Sequence, residues 1–161
     1  MSAKSQKDNK VKAPTAVNKK AYRNYELIEK FEAGISLLGT EVKSLRSGTV
    51  DLSGSYARIL EEECFLVGAS IAQYEQASTA NHEPTRKRKL LLHASQIRKI
   101  KTKLQQRGFT LVPLKVYFNK RGLAKVELAL ARGKKQYDKR DTITKRRQKE
   151  ELNRTMKKFK K

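Results

Sequence analysis

His82, His93 and Cys64 supply the only imidazoles and the only thiol in the 161 residues. Neither histidine has a second donor at the short spacing that lets two side chains share a metal. Cys64 lies in the apolar run Cys64 to Ile71, so a core thiol and surface imidazoles are expected. Gly34, Gly39, Thr40 and Glu41 follow the opening of a phosphate-loop spacing, but Thr-Glu stands where Lys-Ser/Thr must reach the phosphates and metal. No Ser/His/Asp or Cys/His constellation is legible. Glu32 and Glu41 could be paired as carboxylates. In so basic a chain, contact with a base edge or a structural ion pair is the better expectation than acid–base work. No enzyme, no metal and no cofactor is expected.

The chemistry the chain does carry is cationic. It holds 38 Lys and Arg against 16 Asp and Glu, a formal net charge of +22. Such an excess calls for a polyanionic partner. The charge is segregated. Residues 1–20 carry six Lys against Asp8, residues 133–161 carry a net +9, and residues 86–107 hold nine basic residues and no acid. The rest is close to neutral and can fold round a core, while the two basic arms are expected to stay disordered until a polyanion screens them. Arginines and lysines suit phosphates, and tyrosines or phenylalanines on a sheet can stack on bases. Phe31, Phe65 and Tyr117 are read as core, whereas Tyr22 and Tyr137, in polar surroundings, are candidate contacts. One cysteine excludes a disulfide framework within the chain and fits a reducing compartment. No apolar run reaches the roughly 18 residues of a membrane span, and the lysine-rich start lacks a signal-peptide core. A cytoplasmic, monomeric protein with no membrane partner is expected.

These residues must be held by elements whose patterns are short. Tyr25, Leu27, Phe31, Ile35 and Leu37 share one parity, as in a half-buried strand, with Gly34 marking an expected bulge or bend. Thr40 to Ser47 reads as a short helix capped by Thr40 and stopped by Gly48. Ser55 to Leu60 and Cys64 to Ile71 flank the acidic turn Glu61-Glu62-Glu63 as a hairpin. Residues 72–89 read as a polar loop. Ile97, Ile100 and Leu104 give the stripe of a helix capped by Ser95 and ended by Gly108, with Arg98, Lys99, Lys101, Lys103 and Arg107 on its other face. Phe109 to Phe118 and Leu123 to Ala131 form the clearest hairpin. The count is about six strands and two or three helices, best closed as a small β-barrel, because closure removes exposed edges. The domains expected are a basic arm at 1–17, an RNA-binding barrel at 18–132 and a basic tail at 133–161. In that tail Leu152, Met156 and Phe159 give a thin helical stripe that should fray alone.

Several blocks together resemble the SmpB family of bacterial tmRNA-binding proteins: Asn18 to Ala21, Tyr25 to Gly34, Gly39-Thr40-Glu41-Val42-Lys43-Ser44-Leu45-Arg46-Ser47-Gly48, Asp51 to Tyr56, Pro84 to Leu92, Leu111 to Phe118, Lys125 to Lys135, and Asp138 to Arg140. The resemblance runs from about Asn18 into the tail, in the family's order and spacing. It implies an oligonucleotide-binding-type barrel that binds the tRNA-like domain of tmRNA and delivers it to ribosomes stalled on messages without a usable stop codon. Family RNA contacts fall on Asn18, Glu32 and Leu91, each in a matching block. Tyr22, Glu41, Lys43, Arg46, Arg86, Arg88 and Lys89 complete the expected tmRNA-binding set. The resemblance places Gly133, Lys134, Lys135, Tyr137, Asp138, Lys139 and Arg140 in a tail that enters the vacant decoding site and message channel and becomes helical there. Tyr137 stands where some relatives carry His, which keeps stacking but removes a titratable proton. Composition alone also allows a constitutive small ribosomal protein or a general single-stranded RNA binder.

Overall fold

A computed structural model describes residues 15–77 and 81–134, together with Leu152 and Met156 in the tail. In chain order the elements are β1 (Ala16–Val17), α1 (Lys19–Asn24), β2 (Tyr25–Ile35), α2 (Gly39–Arg46), β3 (Val50–Asp51), β4 (Tyr56–Leu60), β5 (Glu63–Val67), β6 (Ser70–Ile71), β7 (Arg88–Leu91), α3 (Ala94–Leu104), β8 (Phe109–Phe118) and β9 (Ala124–Gly133). Six strands close on themselves in the order β8-β4-β5-β7-β2-β9, with β9 pairing back onto β8. Every pairing among them is antiparallel. The closed six-strand architecture with three helices is the one expected.

Two helices plug the ring from opposite ends. Leu45 of α2 and Ile100 of α3 are fully buried in one apolar cluster with Phe31, Ala33, Ile35, Leu66, Leu111, Leu128 and Leu130. Arg46, the last residue of α2, stacks 5.6 Å over the ring of Phe118 at the end of β8. The chain leaves α3 through Gly108 directly into Phe109, the start of β8. A ten-residue strand, roughly 30 Å long, therefore separates the two ends.

A second, smaller cluster lies outside the ring, where Ala21 of α1 covers Val112, Leu114, Ala129 and Ala131 with Tyr25 and Leu27 beside it. β9 is therefore apolar on both faces. β2 serves both clusters through a bulge. Register slips by one residue between Leu27 and Glu29, so Tyr25 and Leu27 face α1 while Phe31, Ala33 and Ile35, of the same parity, face the interior. β8 does the same between Pro113 and Lys115.

Several local expectations change. The bulge lies at Ile28, not at Gly34. Gly34 is instead the residue where β2 passes from β9 to β7, pairing with both Lys125 and Leu91. Thr40 does not cap α2. Leu38 occupies the cap, its N–H donating 2.7 Å to the Glu41 carboxylate, and the Thr40 hydroxyl is drawn instead to His82 Nδ1 at 2.9 Å. His82 is accordingly buried, not a surface imidazole. His93, rather than Ser95, precedes α3, with its N–H donating to Gln96 Oε1 at 3.1 Å. Arg88 and Lys89 belong to β7 rather than to a loop. Ala16 and Val17, placed in the expected arm, pair as a short strand with Val116 and Lys115 of β8. In the tail, Leu152 and Met156 are helical and exposed.

Candidate nucleic-acid interface

Alternation along the strands turns one set of polar side chains outward on β8, β9, β2 and β7. Tyr117 is paired with Lys125, Lys125 with Gly34, and Gly34 with Leu91, so these residues form one row across four strands. Leu91 is 56% exposed, unusual for a leucine on a sheet. The missing side chain at Gly34 makes a saddle in that row. A Cβ there would lie 3.3 Å from the Leu91 Cβ, so glycine lets the leucine lie across its neighbour. In the next row Lys115 pairs with Glu127, and Glu127 with Glu32.

The charges in these rows are knitted together. Lys115 and Lys30 bond to Glu127 at 2.8 and 3.1 Å, and Lys125 lies 3.5 Å from Glu32. The Tyr117 hydroxyl donates to Glu32. That bond, with Lys125 adding to it, holds the Glu32 carboxyl below its ordinary range. Burial and the Glu32 carboxylate push the Tyr117 phenol up to about 12. Glu32 therefore presents a fixed, ionised acceptor beside two lysines, the arrangement needed to receive a base-edge or ribose donor while cations meet neighbouring phosphates. Tyr22, on α1, is exposed close to Lys115.

The expected contacts divide sharply. Glu32 and Leu91 share the outward face, and Lys89 sits beside Leu91 on β7, paired with Glu63 of β5. Lys43 and Arg46 are exposed on α2, Lys43 lying 5.0 Å over the Tyr74 ring. Three others are turned inward. Asn18 is 5% exposed and spends its whole amide on the fold. Its Nδ2 donates to Leu52 O at 2.9 Å and Pro113 O at 3.1 Å, and its Oδ1 accepts from the Ala21 N–H at 3.0 Å. Glu41 and Arg88 are both fully buried and bonded at 2.8 Å. Arg88 also donates to Ala69 O and Pro84 O, both at 2.7 Å, and Arg86 grips the same carboxylate from the rim at 2.8 and 2.5 Å. In this structure Asn18, Glu41 and Arg88 all serve the fold: carboxylate and guanidinium bond to one another, and the Asn18 amide bonds to backbone on three sides. Burial alone would raise the Glu41 pKa, but bonds from Arg86, Leu38 and Arg88 carry it below the ordinary value.

Sequence reasoning misses Tyr117, Lys125 and Lys115 as surface groups. The available signal is parity after the bulge in β8, which puts Tyr117 outward rather than in the core as expected. Of the tail set, Gly133 ends β9 opposite Tyr25 and the Lys134 N–H donates to Asn24 O at 3.0 Å. Lys135, Tyr137, Asp138, Lys139 and Arg140 lie outside the described residues. No group of three or more His, Cys, Asp or Glu side chains that could hold a metal occurs among the described residues, nor is any described helix long and apolar enough to cross a membrane.

Comparison with known proteins gives the family and the fold. The chain is 58% identical over 140 residues to the SsrA-binding protein of Syntrophobacter fumaroxidans, covering 87% of this chain and 86% of that one. It is 57% identical over 128 residues to that of Thermus thermophilus, covering 80% and 89%. A chain from the solved structure described as "tmRNA-SmpB: a journey to the center of the bacterial ribosome" superposes with a TM-score of 0.66 at 56% identity, covering 77% of this chain and 87% of that chain. The profile described as SmpB protein matches residues 15–158, the whole of the ring and most of the tail. By fold, sequence and extent of match, the chain belongs to the SmpB family.

Proposed function

We propose that this protein binds tmRNA and brings it to stalled ribosomes for trans-translation, the rescue and tagging of incomplete polypeptides. It does so as a cytoplasmic monomer, without catalysis of its own. The observation that carries the reading is the outward row Tyr117, Lys125, Gly34 and Leu91, with ionised Glu32 beside it. Exposed apolar surface, a fixed acceptor and flanking lysines suit a splayed base and its sugar-phosphate on folded RNA better than they suit a protein partner. Lys89, Lys43, Arg46 and the half-exposed Arg86 extend the cationic rim, and Tyr22 offers a stacking ring.

The tail from Gly133 supplies the second half of the task. With a net +9 it gains counter-charge in an RNA-walled channel. Ordering it there costs about 1–2 kcal/mol per residue, and release of the RNA's counterions makes its binding strongly salt dependent. Lys134, Lys135, Asp138, Lys139 and Arg140 would occupy the empty decoding site and message channel, with Tyr137 stacked on a decoding base.

Sequencing the RNA that co-purifies with a tagged copy tests the reading. A single dominant tmRNA species, with ribosomes substoichiometric, is the expected result. Ribosomal RNA at one copy per protein would make this a constitutive ribosomal component, and a mixed population of unpaired RNAs would make it a general binder.

A further inference from the structure

Two acids face each other across the β2–β9 ladder, Glu32 opposite Glu127. Like charges directly opposite one another weaken a sheet, so these two need cations between them. The cations are shared unevenly. Glu127, its side chain 17% exposed, has an ammonium on each oxygen: Lys30 lies 3.1 Å from Oε1 and Lys115 2.8 Å from Oε2. The bond from Lys115 does most to hold its carboxyl below the ordinary range. Glu32, its side chain 57% exposed, accepts a bond from the neutral phenol of Tyr117. Its nearest ammonium, on Lys125, is 3.5 Å away, too long for a good hydrogen bond. An ionised carboxylate offers about four acceptor positions. Glu127 is closed by its lysines and by burial, whereas Glu32 keeps acceptor positions turned to solvent.

Lys115 is the cation that could close Glu32 as well. On the ladders Lys115 pairs with Glu127 and Glu127 with Glu32, so lysine and open acid flank the closed acid. The Lys115 ammonium lies 5.1 Å from the centre of the Tyr117 ring, the ring whose hydroxyl reaches Glu32. The Glu32 charge is also among the causes that raise the Lys115 pKa, after the leading bond to Glu127. A flexible four-carbon stem so close to Glu32 is kept off it by the bond to Glu127.

We propose that Glu127 is a positioning residue for RNA recognition: by engaging Lys115 it keeps Glu32 open to a hydrogen-bond donor of the RNA, a base-edge N–H or a ribose 2′-hydroxyl. This rests on the function proposed above and names the groups that the Glu32 carboxylate takes. The consequence runs against charge counting. Removing an acid from a phosphate-binding face should tighten RNA binding. Here it frees Lys115 to cover Glu32, and specific binding should weaken.

The test titrates the full chain, its Glu127→Gln variant and its Glu127→Gln/Lys115→Gln variant against a transcript of the tRNA-like domain of tmRNA and against poly(U). Glu127→Gln is expected to lose about tenfold on the transcript, the worth of one hydrogen bond to a charged group. Poly(U), which reads charge, should bind it no more weakly than the parent. The double variant has the parent's net charge and no Lys115 ammonium to misplace. Its transcript affinity should return to within about threefold of the parent's, which also shows that the single variant's loss is not unfolding. Transcripts carrying 2′-deoxynucleotides, or base analogues that lack one N–H donor, then locate the donor. A penalty seen with the parent and the double variant, and diminished with Glu127→Gln, assigns it to ribose or base. Transcript binding by Glu127→Gln as tight as the parent's, an equal loss on poly(U), a double variant no tighter than the single one, or substitution penalties that are absent or unchanged would each overturn the proposal. A parent chain that does not bind the transcript would overturn the proposed function instead.

Discussion

Glu41 and Arg88 face each other at 2.8 Å with no solvent on either side chain. Glu41 lies in the first turn of α2 and Arg88 opens β7, so this one bond ties the plug at one end of the ring to the strand carrying Leu91. Removing one member of a buried pair strands the other's charge, at about 3–5 kcal/mol. Glu41→Gln should therefore lower stability by about 3 kcal/mol in urea unfolding, and adding Arg88→Met should recover part of the loss. A Glu41→Gln protein as stable as the parent would mean that the pair is not closed in solution.

Acid should act through the same carboxylate. Its native pKa lies below the ordinary 4.5, so its contribution is complete above that value and disappears as pH falls through the lowered native one. Parent stability should decline steeply below pH 4.5, and the Glu41→Gln variant, which has already lost the contribution, should decline less. Parallel pH profiles would place the acid-sensitive group elsewhere.

Asn18 and Glu32 should separate fold from recognition. Asn18→Ala removes the α1 cap and frees two buried carbonyls, Leu52 O and Pro113 O, at about 1–2 kcal/mol. Its thermal midpoint should fall, and any weakening of RNA binding should follow from that loss. Glu32→Ala and Lys125→Ala should each weaken binding several-fold in a gel-shift titration while leaving the midpoint within about 2 °C. Normal binding by both would reject the Tyr117–Leu91 face.

The tail is expected to act after tmRNA is bound. Replacing Asp138, Lys139 and Arg140 together by Ala should leave tmRNA affinity near normal and abolish alanine tagging on stalled ribosomes. Full tagging by that triple variant would merge the two roles.

The β4–β5 turn stores strain. Glu61 and Glu62 have φ of 46° and 64°, left-handed values that side chains disfavour. Glu61→Asn with Glu62→Gly supplies the residues such a two-residue turn prefers, and stability should rise by about 1 kcal/mol. A lower melting temperature would mean that the glutamates hold the turn by contacts.

Elements are legible wherever one local pattern decides them. The Phe109–Phe118 hairpin, the Ile97/Ile100/Leu104 helix and the acidic turn all carry their signal within a dozen or so residues. β7 is hidden because Arg88, a buried strand residue, looks like part of a basic loop until its partner Glu41, 47 positions earlier in the chain, is known. The same blindness hides the Glu41–Arg88 bond: a charge in a sequence reads as surface. Asn18 stands out by its motif, but its bonds inside the fold depend on Leu52 and Pro113, which no local pattern connects. Tyr117 escapes notice as surface because a bulge reverses parity partway along β8.

That reversal constrains how the molecule opens. Since β2, β8 and β9 line both apolar clusters, the ring cannot part without uncovering Ala129 and Ala131, yet α1 can lift from them while the ring stays shut. Amide exchange at Lys20 to Arg23 should therefore outpace exchange at Leu128 and Leu130, so that Tyr22 becomes mobile on its own timescale while Leu91 and Lys125 keep their spacing.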